Sequence, residues 1–424
     1  MDKQNLALKA IQKKLVGKRL NYAEIYAVMD EIANERLGDV LTTYFAASGY
    51  SKGFSDQEIY YLTKAMVETG QRLHFTGIVA DKHSIGGVPG TRTTLIVVPI
   101  IAAAGFKIPK SSSRAITTPG GTADDMEVLS KVDFTEKQIY DIVKKTNGCI
   151  VWGGSFNIAP ADDVIIKVEE PLLFESFDKI LVSIMAKKVA FGSTHVVIDL
   201  PYGEMVKVHS LKDAEVLKEK FEKLAKRFDL KIRVLIHKTD EPAGRGIGPL
   251  LETKEAMLVL EQQKYRPYDL EERSLNLAGA LLDLCLEDAS ATLNQRIKRE
   301  HGSGHEWARH ILTSGLALDK MKEIIKAQGG DPEITSAHMK PGRYSFEIIA
   351  KTSGNIKKIH SKNATVIAKI LGAPDDKKAG IYLNKKIGQK INKGEILYTL
   401  YSQSIYNLRE AKDSIKHFPL FLYN

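Results

Sequence analysis

The stretch Asp81-Lys82-His83-Ser84-Ile85-Gly86-Gly87-Val88-Pro89-Gly90 sets a lysine, a hydroxyl and several glycines between two apolar runs, 77–80 and 93–104. A glycine-rich turn between a strand and a helix can aim backbone N–H groups into one small volume at the positive end of the helix dipole. Lys82 adds a charge and Ser84 a hydroxyl donor, so the turn is expected to seat a phosphate. It is not a Walker A loop, because its lysine precedes the glycines, and it lacks the G-x-G-x-x-G dinucleotide pattern. A second stretch has the same make-up: Ser111-Ser112-Ser113-Arg114-Ala115-Ile116-Thr117-Thr118-Pro119-Gly120-Gly121-Thr122-Ala123-Asp124. It leads into an expected helix over 124–131 with Thr122 as N-cap. Either turn alone is explained by local structure. Two of them after neighbouring parallel strands fall at the same sheet edge, which points to one shared phosphate site.

The elements around these turns divide the chain. Residues 1–73 read as short amphipathic helices, with capping boxes at Asn21/Glu24 and Ser55/Glu58 and a Phe54/Ile59 staple. Strands are expected at 78–80, 106–108, 149–152, 196–200 and 232–237, with helices between several of them, such as 135–144 behind a Thr135/Gln138 box. That alternation implies a mainly parallel sheet binding its ligand at the carboxyl ends of the strands. The piece 171–189 breaks the alternation and reads as a helix that joins the N-terminal ones. Gly329-Gly330-Asp331-Pro332 marks a boundary, followed by strand-like runs at 344–351, 380–383 and 395–401.

The expected fold is therefore α/β with a separate all-helical domain. It has a mixed, mainly parallel sheet flanked by helices, plus a small C-terminal α+β barrel-sandwich domain. The helical domain takes 1–73 plus about 161–190, the phosphate-binding domain 74–160 plus 191–330, and the last domain 331–424. A biotin or lipoyl carrier is one reading of 384–395, but the Met-Lys-Met turn of those carriers is missing.

At 424 residues, 43% apolar and 27% charged, the chain has the composition of a soluble multidomain protein. Apolar runs stop short of membrane-spanning length, and the first residues lack a signal-peptide pattern. Cys149 and Cys285 sit in apolar surroundings and read as buried thiols of a cytoplasmic protein. The net charge of +9, from 61 basic and 52 acidic residues, favours anionic ligands. Basic residues alternate with acids, as in Lys212-Asp213-Ala214-Glu215, and basic tails or aromatic RNA-binding motifs are missing. A non-catalytic nucleic-acid binder is the weaker alternative.

Five motifs then become recognisable together: Lys82-His83-Ser84-x-Gly86-Gly87, Ser113 to Thr117, Gly121-Thr122-Ala123-Asp124-x-x-Glu127, Ala159-Pro160-Ala161-Asp162 and Ser183-Ile184-Met185-Ala186-Lys187-Lys188. Their order and spacing resemble the thymidine and pyrimidine nucleoside phosphorylase family over nearly the whole chain. Within it the chain is more similar to the archaeal-type branch that phosphorolyses nucleoside 5′-monophosphates, the AMP phosphorylases. Ile85 to Gly90 and the run Val197 to Lys207 carry this. So does Glu169, which stands about where the nucleoside enzymes place a pyrimidine-holding arginine.

The resemblance implies cleavage of an N-glycosidic bond by inorganic phosphate. Lys82, Ser84, Gly87, Ser113 and Thr122 would bind the attacking phosphate. Gly87, Ser113, Arg114, Ala115, Ile116, Thr117, Thr118 and Thr122 would line the nucleotide, with Ser183 and Lys187 at the base and Lys207 on the substrate's 5′-phosphate. Glu175, where the branch has an aspartate, would protonate the leaving base. No metal or organic cofactor is implied. The partners would be a nucleotide and phosphate, with no nucleic acid and no membrane. The monophosphate enzymes usually carry a further N-terminal domain. This chain starts at the helices, so a homodimer through the helical domain is expected. Gly153-Gly154 and Gly192 are candidate hinges for a closing cleft.

Overall fold

The structure, a computed structural model, describes residues 3–86, 88–115, 118–169 and 176–424. Helices come first: α1 (Lys3–Leu15), α2 (Tyr22–Ala33), α3 (Gly38–Lys52) and α4 (Asp56–Glu68). Alternation begins with β1 (Ala80–Ser84), α5 (Thr94–Ala103), β2 (Ile108–Ser112), α6 (Thr122–Met126), α7 (Glu136–Thr146) and β3 (Gly148–Trp152). Two helices interrupt it, α8 (Pro160–Glu169) and α9 (Phe177–Ala190). It resumes with β4 (His195–Tyr202), α10 (Leu211–Lys226), β5 (Lys231–Lys238), β6 (Gly246–Ile247) and α11 (Pro249–Leu260). Next come α12 (Tyr268–Leu286), α13 (Ala291–Glu300), α14 (Gly304–Thr313) and α15 (Leu316–Ala327). The C-terminal region holds β7 (Tyr344–Ile349), β8 (Gly354–Ile359), α16 (Ser361–Leu371), β9 (Gly380–Leu383), β10 (Lys390–Ile391), β11 (Ile396–Ser402), α17 (Ile405–Ser414) and β12 (Phe421–Tyr423).

The α/β sheet is parallel throughout. β1 pairs with β4 and β4 with β5, while β2 pairs with β3. A bridge from Val79 to Lys107 joins the two halves, giving the order β3-β2-β1-β4-β5. Helix α5 is apolar on every side and wholly buried from Thr94 to Ala102, because α11, α12, α14 and α15 enclose it against the sheet.

Two strands differ from expectation, and both shifts concern the site. The first was expected at 78–80 but runs through Ser84, so Lys82 and Ser84 lie on the strand and not in the turn. Charged residues can be buried here because β4 offers matching register and each charge finds a partner inside. The second was expected at 106–108 but spans Ile108–Ser112, so Ser111 and Ser112 also lie on a strand.

The capping boxes at Asn21, Ser55 and Thr135 all form. Helices α8 and α9 pack on α2, α3 and α4, so the inserted pair shares a core with the N-terminal helices. Helix α9 starts at Phe177 behind its Ser176 cap, later than the expected 171, and 170–175 lie outside the described residues. The C-terminal region is built of a pair of open sheets, β10-β8-β12 and β6-β9-β11-β7, which share one core with α16 and α17. The expected barrel does not close among the described residues. Strand β6 is lent by the preceding segment of the chain and pairs with β9.

Candidate active site

Lys82 and Ser84 sit at the carboxyl end of β1, where the parallel sheet opens. The Lys82 side chain is 2% exposed, and its Nζ donates to Thr93 Oγ1 at 2.6 Å and Thr94 Oγ1 at 3.2 Å at the start of α5. Burial draws its pKa down to about 8, against the nearby Asp199 carboxylate, which favours the charge. Ser84 Oγ donates to Asp199 Oδ2 at 2.6 Å. His83 is pushed well below its usual range by burial and by the charges of Lys188, Lys110, Lys187 and Lys82, so its imidazole is neutral. Four lysines thus bear on this ring, two of them paired with carboxylates, Lys188 with Asp81 and Lys187 with Asp162. Gly87 lies outside the described residues.

The second turn comes back onto the first. Arg92, next to Thr93, donates to Gly120 O and pairs with the buried carboxylates of Asp125 and Glu252. Asp124 organises the loop from below: its Oδ2 accepts from Ala115 N at 2.7 Å and Gly121 N at 2.9 Å. The N-cap of α6 is Gly121, not Thr122, which is the first helical residue. A Cβ at Gly121 would lie 2.5 Å from Ser113 O, so only glycine fits there. The expected 124–131 helix is the short Thr122–Met126 instead, and beyond it Val128 N and Leu129 N close tighter turns on Asp125 O and Met126 O.

Ser113 is exposed at the loop's start, and its carbonyl accepts from Ala123 N at 3.2 Å. Arg114 turns aside to Glu127 at 2.7 Å and lies over the Trp152 ring. Thr118 Oγ1 donates to Gly120 O at 2.8 Å. Ile116 and Thr117 lie outside the described residues.

On the helical side, α9 brings Ser183 and Lys187 onto one carboxylate. Asp162 Oδ2 accepts from Ser183 Oγ at 2.7 Å and pairs with Lys187 Nζ at 2.5 Å. The adjacent Lys188 points elsewhere, into a sealed pair with Asp81 of β1 at 2.6 Å. Lys207 lies on the loop after β4, which closes through Gly203 N to Val208 O. Lys179 of α9 meets Glu169 and is drawn down to about 8 by burial, with Lys207 and Lys187 adding repulsion. Three lysines thus gather here, with Asp162, Asp163 and Glu169 among them. Glu175 lies outside the described residues.

Several residues of this arrangement were missed in sequence: Thr93, Thr94, Asp199 and Lys179. Asp124 and Asp162 stood inside motifs but had no role there. Thr93 was open to inspection as the first residue of an apolar helix facing the Lys82 turn. Asp199 and Lys179 gave no signal, because their partners are 115 and 10 residues away.

Comparisons with known proteins follow the same division. The helical bundle domain of a glycosyl transferase family matches residues 8–70, and the a/b domain of that family matches 76–318. A pyrimidine nucleoside phosphorylase C-terminal domain matches 355–418. The AMP phosphorylase of Methanocaldococcus jannaschii is 44% identical over 405 residues, 96% of this chain and 78% of that protein. That of Thermofilum pendens is 43% identical over 407 residues, 96% of this chain and 76% of that protein. A Legionella pneumophila protein with a provisional thymidine phosphorylase name is 41% identical over 411 residues, 97% of this chain and 76% of that protein. The crystal structure of anthranilate phosphoribosyltransferase from Thermus thermophilus superposes with a TM-score of 0.59. It covers 75% of this chain and 99% of that one at 18% identity, a likeness of fold alone. With such relatives along nearly its whole length, the chain belongs to the glycosyl transferase family that includes the AMP phosphorylases, and it is a pentosyltransferase.

Proposed function

We propose that this enzyme cleaves nucleoside 5′-monophosphates, AMP first and CMP or UMP as further substrates, with inorganic phosphate. The products are the free base and ribose 1,5-bisphosphate. The observation that carries this reading is the presence of two separate groups of lysines. One is built on Lys82 with Thr93 and Thr94, the other on Lys187, Lys179 and Lys207 around Asp162. A nucleoside carries no phosphate, so its phosphorolysis needs one seat, for the attacking inorganic phosphate, whereas a nucleotide brings a 5′-phosphate that needs a second. The names of the relatives at 43–44% identity support the same substrate class.

Lys82, Ser84, Ser113 and Thr122 hold the attacking phosphate with the Gly86-Gly87 backbone, and Lys207 holds the 5′-phosphate. The 113–118 segment and Gly87 line the nucleotide, and Ser183 and Lys187 face the base. As a phosphate oxygen closes on C1′, the C1′–N bond breaks and Glu175 protonates the departing base. Residues 1–73 with 161–190 move as one body against the α/β domain, and the crossings at Gly153-Gly154 and Gly192 flex. Gly192 has φ +68, and a Cβ there would lie 2.7 Å from Leu73 O. Small-angle scattering that showed no compaction with nucleotide and phosphate bound would remove the closure. The exposed Leu15, Val16, Val40 and Tyr44 support a homodimer through the helical domain, to be read from mass by light scattering.

The deciding assay incubates the enzyme with phosphate and AMP, CMP, UMP, adenosine, thymidine or uridine and measures free base. Lys207→Ala is expected to lose about a hundredfold in kcat/KM on AMP, with little change on any nucleoside. Release from nucleosides alone overturns the reading. It would favour a pyrimidine nucleoside phosphorylase giving pentose 1-phosphate, the second reading, which the C-terminal domain match and the Legionella relative support.

A further inference from the structure

The C-terminal region stands away from the carboxyl ends of β1–β5 in sequence, yet two of its lysines reach the backs of both phosphate turns. Lys377 Nζ donates to Asp124 Oδ1 at 2.8 Å and pairs with Glu127 Oε2 at 2.9 Å. Asp124 uses its other oxygen to hold the amides of Ala115 and Gly121, which frame the 113–122 loop. Glu127 in turn holds Arg114. The Lys377 backbone is fixed independently, because its carbonyl accepts from Leu250 N at 2.9 Å at the start of α11. One ammonium therefore bridges the two carboxylates that order this loop.

The second lysine does the same for the first turn. Lys386 Nζ donates to Pro242 O and to Gly244 O at 3.0 Å, with Asp269 at 3.1 Å. The loop it gathers reaches the end of the glycine-rich turn, where Ala243 N donates to Thr91 Oγ1 at 3.1 Å and Gly244 N to Gly90 O at 3.3 Å. The approach is close: a Cβ on Gly90 would lie 2.7 Å from Gly246 O. Arg245 closes the contact from the opposite side by donating to Leu383 O and Asn384 O.

A domain that only added stability would have no reason to aim these cations at these two loops. A charge-assisted bond to a carboxylate that already holds two amides transmits position, because Asp124 gives one oxygen to Lys377 and the other to the amides of Ala115 and Gly121. We propose that the C-terminal domain is a positioning element of the phosphate site, with Lys377 setting the 113–122 loop through Asp124 and Lys386 setting the Gly90 turn through 242–244. This rests on the reading that these turns bind phosphate.

The test uses the full chain with Lys377→Met and Lys377→Arg. Three quantities are read: amide hydrogen exchange of peptides covering 113–122, exchange of peptides from β5 as reference, and calorimetric binding of inorganic phosphate alone. Lys377→Met is expected to speed exchange in 113–122 about tenfold, leave β5 unchanged, and weaken phosphate about tenfold. Lys377→Arg, which keeps the charge and the donor, is expected to return both to within about threefold of the native values. Unchanged exchange in 113–122 overturns the proposal. So does acceleration spread equally over β5, which would make Lys377 only a fastener between domains. If the native enzyme binds no phosphate, the phosphate reading fails, while exchange still decides whether Lys377 orders the loop.

Discussion

Ser84 Oγ lies 2.6 Å from Asp199 Oδ2, across the register that pairs β1 with β4. The other carboxylate oxygen faces His237 Nδ1 of β5 at 3.3 Å, so one buried aspartate ties together three strand ends. An ionised carboxylate only accepts hydrogen bonds, so it holds the serine hydroxyl in one orientation. It also does electrostatic work, for among the charges around Lys82 it is the foremost one that keeps the ammonium protonated against burial.

Asp199→Asn keeps the shape and removes the charge. The Lys82 pKa, already about 8, then falls further, and the ammonium is lost at lower pH. Phosphate affinity falls on the alkaline side as Lys82 deprotonates, so the variant's alkaline limb moves to lower pH. At pH 8 the phosphate KM is expected to rise about tenfold, with a smaller change at pH 6.5. Superimposable pH profiles for the two proteins would show that Asp199 does not act through Lys82.

Lys110 of β2 makes an opposite kind of prediction, about stability. Burial lowers its pKa to about 7, with Lys188 as the foremost repelling charge, and its Nζ donates to the Ser111 carbonyl. An unfolded lysine titrates near 10.5. Between the two values the unfolded chain binds more protons than the folded one, so this group makes stability rise with pH. The cost of the buried ammonium is present in full below about pH 7 and fades toward 10.5. Glu255, raised to about 7 by burial, acts in the other direction but only on the acid side. Lys110→Met is therefore expected to be the more stable protein at pH 6, by about 1–3 kcal/mol, with the gain shrinking by pH 9. Urea titrations of both proteins at the two pH values measure it.

Much of the fold was legible because it rests on local rules. Asn21, Ser55 and Thr135 announce their helices by chemistry within four residues, and the apolar run 93–104 is long enough to read as a buried helix. The two phosphate turns were legible as composition. Their geometry was not, since Asp81 and Lys82 look unlike strand residues. They become strand only because Lys188, 107 residues on, and Thr93 receive their charges. Thr122 misled for a related reason: a good cap residue lost the cap to a glycine because Ser113 O leaves no room for a side chain. The grouping of Ser183 and Lys187 followed from helical spacing, whereas the aspartate that unites them came from another helix. What sequence did not carry was the partner of each charge.

The pair Lys188–Asp81 offers the sharpest test of that principle. Their side chains are 1% and 0% exposed, and Asp81 also accepts from Ser193 Oγ at 3.1 Å and from the Lys82 amide at 2.7 Å. Lys188 belongs to α9, which packs with the helical pieces, while Asp81 belongs to the central sheet. Replacing Lys188 by Met leaves a carboxylate in the core with neutral donors only. Breaking a buried pair in this way costs about 3–5 kcal/mol. Converting the aspartate as well, in Asp81→Asn/Lys188→Met, removes the stranded charge and keeps the side-chain volume. The double variant should therefore be more stable than Lys188→Met alone, recovering about 2 kcal/mol in urea unfolding. If instead the two losses simply add, Asp81 is held by Ser193 and the Lys82 amide, and the ion pair contributes little to joining helix and sheet.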